Sequence, residues 1–250
     1  MVEVGLGGRL DSTNVIPTPE AAVITNIGLE HTAILGSTLA AIAAEKSGIL
    51  KPGCRAVLYG QSRVVGEVVA RFCAEKEIPL TVTDASQLTL LSSGLDGQHF
   101  TYRGSAPLLL PLLGDYQLRN AMTVLDTVDA LRAQGWNISA DAVARGLAAA
   151  RWPGRLELVR RRPDLIIDGG HNPQCAQALA SCTWSTPSAR RWTPRSLSRV
   201  PRTPSARGAR STASASCAIV SACAEIRPRD IRHPRRAAVP GAHLHGWRLL

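Results

Sequence analysis

Apolar and polar positions along this chain fall into blocks whose period changes from strand-like to helix-like. Residues 2–6 form a short apolar run with one acid, Glu3, that leads straight into Gly5, Gly7 and Gly8. The pattern predicts a strand closing on a glycine turn. Residues 22–27 are a nearly continuous apolar run of the buried-strand kind, ending at Gly28. Ser37 and Thr38 can cap a helix over residues 39–46, with Gly48 at its exit. Lys51, Pro52 and Gly53 predict a turn, residues 55–59 a strand, residues 64–77 an amphipathic helix and residues 80–83 a short strand. Short strands with glycine turns follow between residues 88 and 113, then two helices over 117–133 and 139–150. Trp152, Pro153 and Gly154 read as a linker, after which 156–159 and 165–167 begin a second α/β unit. The alternation of strands and helices predicts the α/β class.

After residue 180 both periods vanish. Residues 181–250 hold 13 Arg, no Lys and only two acids, Glu225 and Asp230, so the net charge of +10 lies wholly in this stretch. Its Ser, Arg, Pro and Ala cannot bury enough apolar surface to offset ordering entropy. A basic arm, a disordered linker and a GC-rich gene read out of frame all produce such a composition. A nucleic-acid partner is the reading favoured least, because Trp184, Trp192 and Trp247 make a thin stacking platform. The six cysteines include no C-x-x-C pair, which argues against a zinc site or a disulfide framework. No apolar run reaches membrane-span length and no signal pattern opens the chain, so a cytoplasmic protein is expected.

Ligands of open α/β sheets gather beyond the carboxyl ends of strands. Three polar stations fall there: Glu3 with the glycines, His31 after residues 22–27, and Asp168 to Pro173 after residues 165–167. The glycines fit two positions of G-x-G-x-x-G, but the third falls on Leu10 and a loop follows, against a dinucleotide turn. Lys46 lies four residues after Ile42, on the inward face of its helix. An inward ammonium is costly unless paired or neutral. It could snorkel out of the helix end, or lose its proton and capture carbon dioxide as a carbamate suited to a hard cation.

Five segments in order, EVGLGGRLDSTNV, ITNIGLEHTAILGSTLAAIAAEKSGILKPG, LLGDYQLRNA, PGRLE and DGGHNP, resemble the bacterial dihydrofolate synthase/folylpolyglutamate synthase family, relatives of the Mur ligases. The resemblance covers about residues 1–180. It implies a Mur-ligase-like central ATPase domain over 1–151, the start of a Rossmann-like C-terminal domain over 152–180, and the aberrant tail over 181–250. It implies ATP-dependent addition of L-glutamate to dihydropteroate or reduced folates through an acyl phosphate, by a monomer with no membrane partner. Glu3, His31 and a carbamylated Lys46 match magnesium ligands; Leu10, Asp11 and Ser12 match the segment beside the pterin-bearing substrate. Asn120 matches the nucleotide-base contact, and Arg155 and Asp168 match ATP contacts; His171 is a further catalytic candidate beside Lys46. Taken without the resemblance, Asn120 reads as a helix N-cap, Arg155 as a linker ion-pair partner and His31 as a satisfied loop histidine.

The sequence departs from that family in one respect that bears on the chemistry. It contains no G-x-x-x-x-G-K-[ST] and no Gly-Lys pair at all. The expectation is therefore a fragment starting inside the family's first domain, inactive by itself, with a non-catalytic remnant as the alternative.

Overall fold

The computed structural model describes residues 1–162, 164–170 and 173–181. His171, Asn172 and the Arg-rich stretch 182–250, with the expectations attached to them, lie outside the described residues.

Strands β1 (Ala21–Ile24), β2 (Arg55–Leu58) and β3 (Leu80–Val82) pair in parallel in that order. Parallel neighbours need crossovers. Between β1 and β2 run α1 (Thr32–Leu35) and α2 (Leu39–Ser47), and between β2 and β3 runs α3 (Arg63–Glu75). The register sets Ala22 opposite Ala56 and Ile24 opposite Leu58. These four face one core with Ile42 and Ala43 of α2 and Val65, Val69 and Cys73 of α3.

A second sheet is antiparallel: β4 (Leu88–Gly94), β5 (Gly97–Tyr102) and β6 (Leu108–Leu110). Helix α4 (Asp115–Ala133) packs against β1 and β2, and on this second sheet its Leu118, Ala121 and Met122 share a core with Phe100, Leu110 and α5 (Ala140–Ala148). Asp126 of α4 is buried where the layers meet. It accepts the Tyr102 hydroxyl at 3.2 and 3.1 Å on its two oxygens and pairs with Arg103 at 3.3 Å. The chain then forms an antiparallel hairpin, β7 (Glu157–Arg160) and β8 (Leu165–Ile167), followed by α6 (Pro173–Ser181). Leu156 and Ile166 tie this hairpin to Leu113 and Tyr116 at the start of α4. Among the described residues no helix is long and apolar enough to cross a membrane.

Three expectations need correction. Residues 2–6 are not a strand, because the Leu6 amide donates to the Asp11 carboxylate at 2.9 Å instead of to a sheet neighbour. The first strand stops at Ile24 because the Gln61 side chain takes over beyond it, accepting from Ile27 N at 2.7 Å and donating to Thr25 O at 3.1 Å. Asn120 is no N-cap: α4 begins at Asp115, after Gly114 at φ 95°, which places Asn120 inside the helix. The short helix α1 and a 3-10 turn at Ser12–Val15 were not anticipated.

Candidate active site

The glycine cluster serves close approach of two backbones. A Cβ on Gly8 would sit 2.7 Å from the Glu45 carbonyl and 2.8 Å from that of Lys46. The loop therefore lies directly on the last turn of α2, where the Arg9 amide donates to Glu45 O at 3.0 Å. The Arg9 guanidinium also meets the Glu45 carboxylate at 3.0 Å. Beyond it, Asp11 organises the loop, accepting from Leu6 N, Thr13 N and the Thr13 hydroxyl. These bonds, the Thr13 hydroxyl's first, pull the Asp11 pKa down to about 2. Neighbouring Leu10 is 80% exposed and Ser12 is exposed, so both are free to meet a ligand.

Lys46 is half-buried beneath this loop. Burial pushes its amine below the ordinary lysine range, and the nearby Glu30 carboxylate opposes that shift. The inward placement expected from the Ile42 spacing is what the helix delivers, since Ile42 and Ala43 are buried. His31 occupies the N-cap position of α1 in the left-handed region at φ 52°, makes no side-chain capping bond and is exposed; Glu3 is exposed on the irregular opening segment. Among the described residues no three His, Cys, Asp or Glu side chains are grouped to hold a metal. Glu30 was missed by sequence reasoning, although an acid directly before His31 in a strand-end loop was a usable signal.

On α4, Asn120 is half-buried and donates to Gln117 Oε1 at 3.0 Å. Gln117 is buried, and among the described residues its Nε2 has no partner. The next residue back, Arg119, reaches the Tyr59 hydroxyl just past β2; burial raises the Tyr59 pKa while Arg119 holds it down. This contact links α4 to the carboxyl end of the parallel sheet and is not visible in the sequence.

Arg155 and Asp168 come together at the base of the β7–β8 hairpin. Asp168 Oδ2 accepts from Leu156 N at 2.9 Å, and Oδ1 accepts from Gly170 N at 2.7 Å. Arg155 is half-buried, and among the described residues its guanidinium has no hydrogen bond or ion pair.

The mixed α/β fold matches solved folylpolyglutamate synthases over 72% of the chain, which places it in the Mur-ligase-like α/β class. A solved folylpolyglutamate synthase–AMPPCP–folate complex superposes with a TM-score of 0.65 at 33% identity, covering 72% of this chain and 45% of that one. Folylpolyglutamate synthase of Lacticaseibacillus casei is 35% identical over 195 residues, 72% of this chain and 43% of the relative. Dihydrofolate synthase/folylpolyglutamate synthase of Mycobacterium tuberculosis is 38% identical over 193 residues, 72% of this chain and 39% of the relative. Over the matched residues the chain belongs to the folylpolyglutamate/dihydrofolate synthase family. It spans less than half the length of each of these relatives. No family model matches it.

Proposed function

We propose that the reaction this chain's residues are suited to is ATP-dependent ligation of L-glutamate to dihydropteroate or reduced folates, in the cytoplasm and as a monomer, with residues 1–250 inactive by themselves. The observation that carries the reading is its identity, at 35% and 38%, to two synthases of this class over 72% of its length. In this reading a folate-type carboxylate takes the γ-phosphoryl group of ATP, and the glutamate amine then displaces phosphate from the acyl phosphate. Each group of residues described above has a task. Arg155, a half-buried cation without a partner among the described residues, offers positive charge to the transferring phosphoryl group. Asn120, half-buried on α4, offers an amide to the nucleotide base. The exposed Leu10 and Ser12, on the loop that Asp11 stiffens, border the pterin-bearing substrate. His171, outside the described residues, is assigned to the same ATP-facing segment.

Glu3, His31 and a carbamylated Lys46 would hold magnesium, which would neutralise phosphate charge. The lowered pKa of Lys46 supports this, since only the free amine captures carbon dioxide. With 13C-labelled bicarbonate, a carbamate carbon resonance is expected in the wild-type chain and not in Lys46→Ala. An identical signal in both would remove Lys46 from the metal site.

Residues 1–250 contain no G-x-x-x-x-G-K-[ST] loop, whose backbone amides and lysine cradle the β- and γ-phosphates. We therefore expect these residues alone to bind ATP weakly and to release no phosphate with glutamate and folate. Turnover matching that of the Lacticaseibacillus casei synthase would overturn that expectation.

A further inference from the structure

We propose that Lys51 is a positioning residue: its ammonium clamps the 3-10 turn Ser12–Val15 and so fixes the loop that carries Leu10 and Ser12. The link from that loop to a pterin-bearing substrate rests on the function proposed above; the clamp itself does not.

A single 3-10 turn makes too few internal hydrogen bonds to stand alone. This one is held at both ends by ionised side chains. At its start Asp11 accepts from Thr13 N at 2.9 Å and from the Thr13 hydroxyl at 2.6 Å. At its end Lys51 Nζ donates to Asn14 O at 2.8 Å and to Ile16 O. Carbonyls at the end of a helical turn lack internal partners, and two of the three ammonium donors meet that need here. The signs are the favourable ones, an acid at the amino end and a cation at the carbonyl end.

The clamp joins the loop to the parallel sheet. Lys51 stands in the turn that leads into β2, where Cys54 N donates to Lys51 O at 3.1 Å and β2 begins at Arg55. The Asn14 side chain adds a second tie, donating to Arg9 O at 3.2 Å and to Gly48 O at 3.1 Å. A Cβ on Gly48 would stand 2.7 Å from Arg9 N, so the loop and the exit of α2 meet backbone to backbone. Lys51 is half-buried and gives its charge to main-chain carbonyls, while Leu10, Ser12 and Val15 stay exposed. What Lys51 offers a ligand is therefore the fixed position of those three residues.

The test uses the full chain with Lys51→Met, which keeps the length of the side chain and removes its charge and donors. The Thr13 and Asn14 amides should exchange about tenfold faster or more than in the wild type, the size of one lost charge-assisted hydrogen bond. Val69, buried in α3, should be unchanged and so report an intact fold. The Asp11 carboxyl is held at about 2 by the Thr13 hydroxyl first and then by the Leu6 and Thr13 amides. In Lys51→Met it should titrate nearer the ordinary value of about 3.9. Carbon-13 titration in about 1 M salt, where screening acts within about 3 Å, separates this loss of geometry from the loss of a distant charge. Lys51→Arg, which retains a cation with several donors, should lie closer to the wild type in both measurements. Unmoved exchange at Thr13 and Asn14, or an unmoved Asp11 titration, would overturn the clamp. Fluorescence titration with pteroic acid tests its consequence: Lys51→Met should bind about tenfold more weakly, and equal binding by the two chains refutes the positioning role. If the wild-type chain binds no pteroic acid, the substrate reading of Leu10 and Ser12 fails, and exchange and titration still decide the clamp.

Discussion

Replacing Gly8 by alanine probes the contact on which the Lys46 station rests. The new Cβ would lie 2.7 Å from Glu45 O, 2.8 Å from Lys46 O and 3.0 Å from Lys46 Cα, all backbone atoms that cannot rotate aside. Ordinary contact begins near 3.4 Å, so the loop must retreat by about 0.7 Å from Glu45 O. The Arg9 N to Glu45 O hydrogen bond, now 3.0 Å, would then pass beyond hydrogen-bonding distance. Overpacking of this kind costs about 1–3 kcal/mol, and the lost bond falls within that range. At this chain length each kcal/mol shifts the melting temperature by roughly 2–4 °C. Gly66→Ala is the matched control: it lies inside α3, and nothing stands within 4 Å of its added methyl. There alanine should stabilise by roughly 0.5–1 kcal/mol through helix propensity. Thermal and urea unfolding of the two variants measure the contrast. A Gly8→Ala chain as stable as the wild type would refute the close-approach account, and a destabilised Gly66→Ala would refute the control logic.

Two further outcomes follow from buried and capped acids. Burial raises the pKa of Asp126, so the stability linked to its neutral form is present at low pH and lost as pH rises through its elevated folded pKa. Asp126→Asn, which keeps an acceptor for the Tyr102 hydroxyl, should change stability at pH 7 by less than about 1 kcal/mol, whereas Asp126→Ala should cost about 2–4 kcal/mol through a cavity and an orphaned hydroxyl; equal losses in urea titrations would refute this ordering. Asp11 has the opposite sign: its pKa is lowered to about 2, so its contribution is present above about pH 4 and lost as pH falls toward 2. Asp11→Asn should flatten that acid limb in a stability–pH curve, and an unchanged slope would remove Asp11 as the loop's organiser.

What the sequence makes legible here is what one element decides alone. The apolar runs of β1, β2 and β3 and the Thr38 cap of α2, which accepts Ala41 N at 3.2 Å, are local facts. So is the inward face of Lys46, fixed by its spacing from Ile42. Residues 2–6 misled because a strand exists only with a partner, and Asp11 claims the Leu6 amide first. Asn120 misled because the true start of α4 uses a glycine at φ 95°, a backbone state that no cap residue announces. Glu30 beside Lys46, Arg119 on Tyr59 and Asp168 on Leu156 N join separate elements, and no period in the chain reports them.

The two candidate cations share a requirement that explains the backbone devices around them. A flexible Lys or Arg near a protein surface finds a carboxylate or water and becomes an ordinary ion pair. Lys46 sits on a helix whose last turn is covered by the Gly8 loop, and burial lowers its pKa by more than the nearby Glu30 raises it. Arg155 stands on a turn that Asp168 and Glu157 hold through backbone amides of Gly154, Leu156 and Gly170. In both places an acid or a glycine acts on the main chain so that a cation stays available. A substitution at Gly8 should therefore alter Lys46 without touching its side chain, and a variant of Lys46 itself should mask that effect.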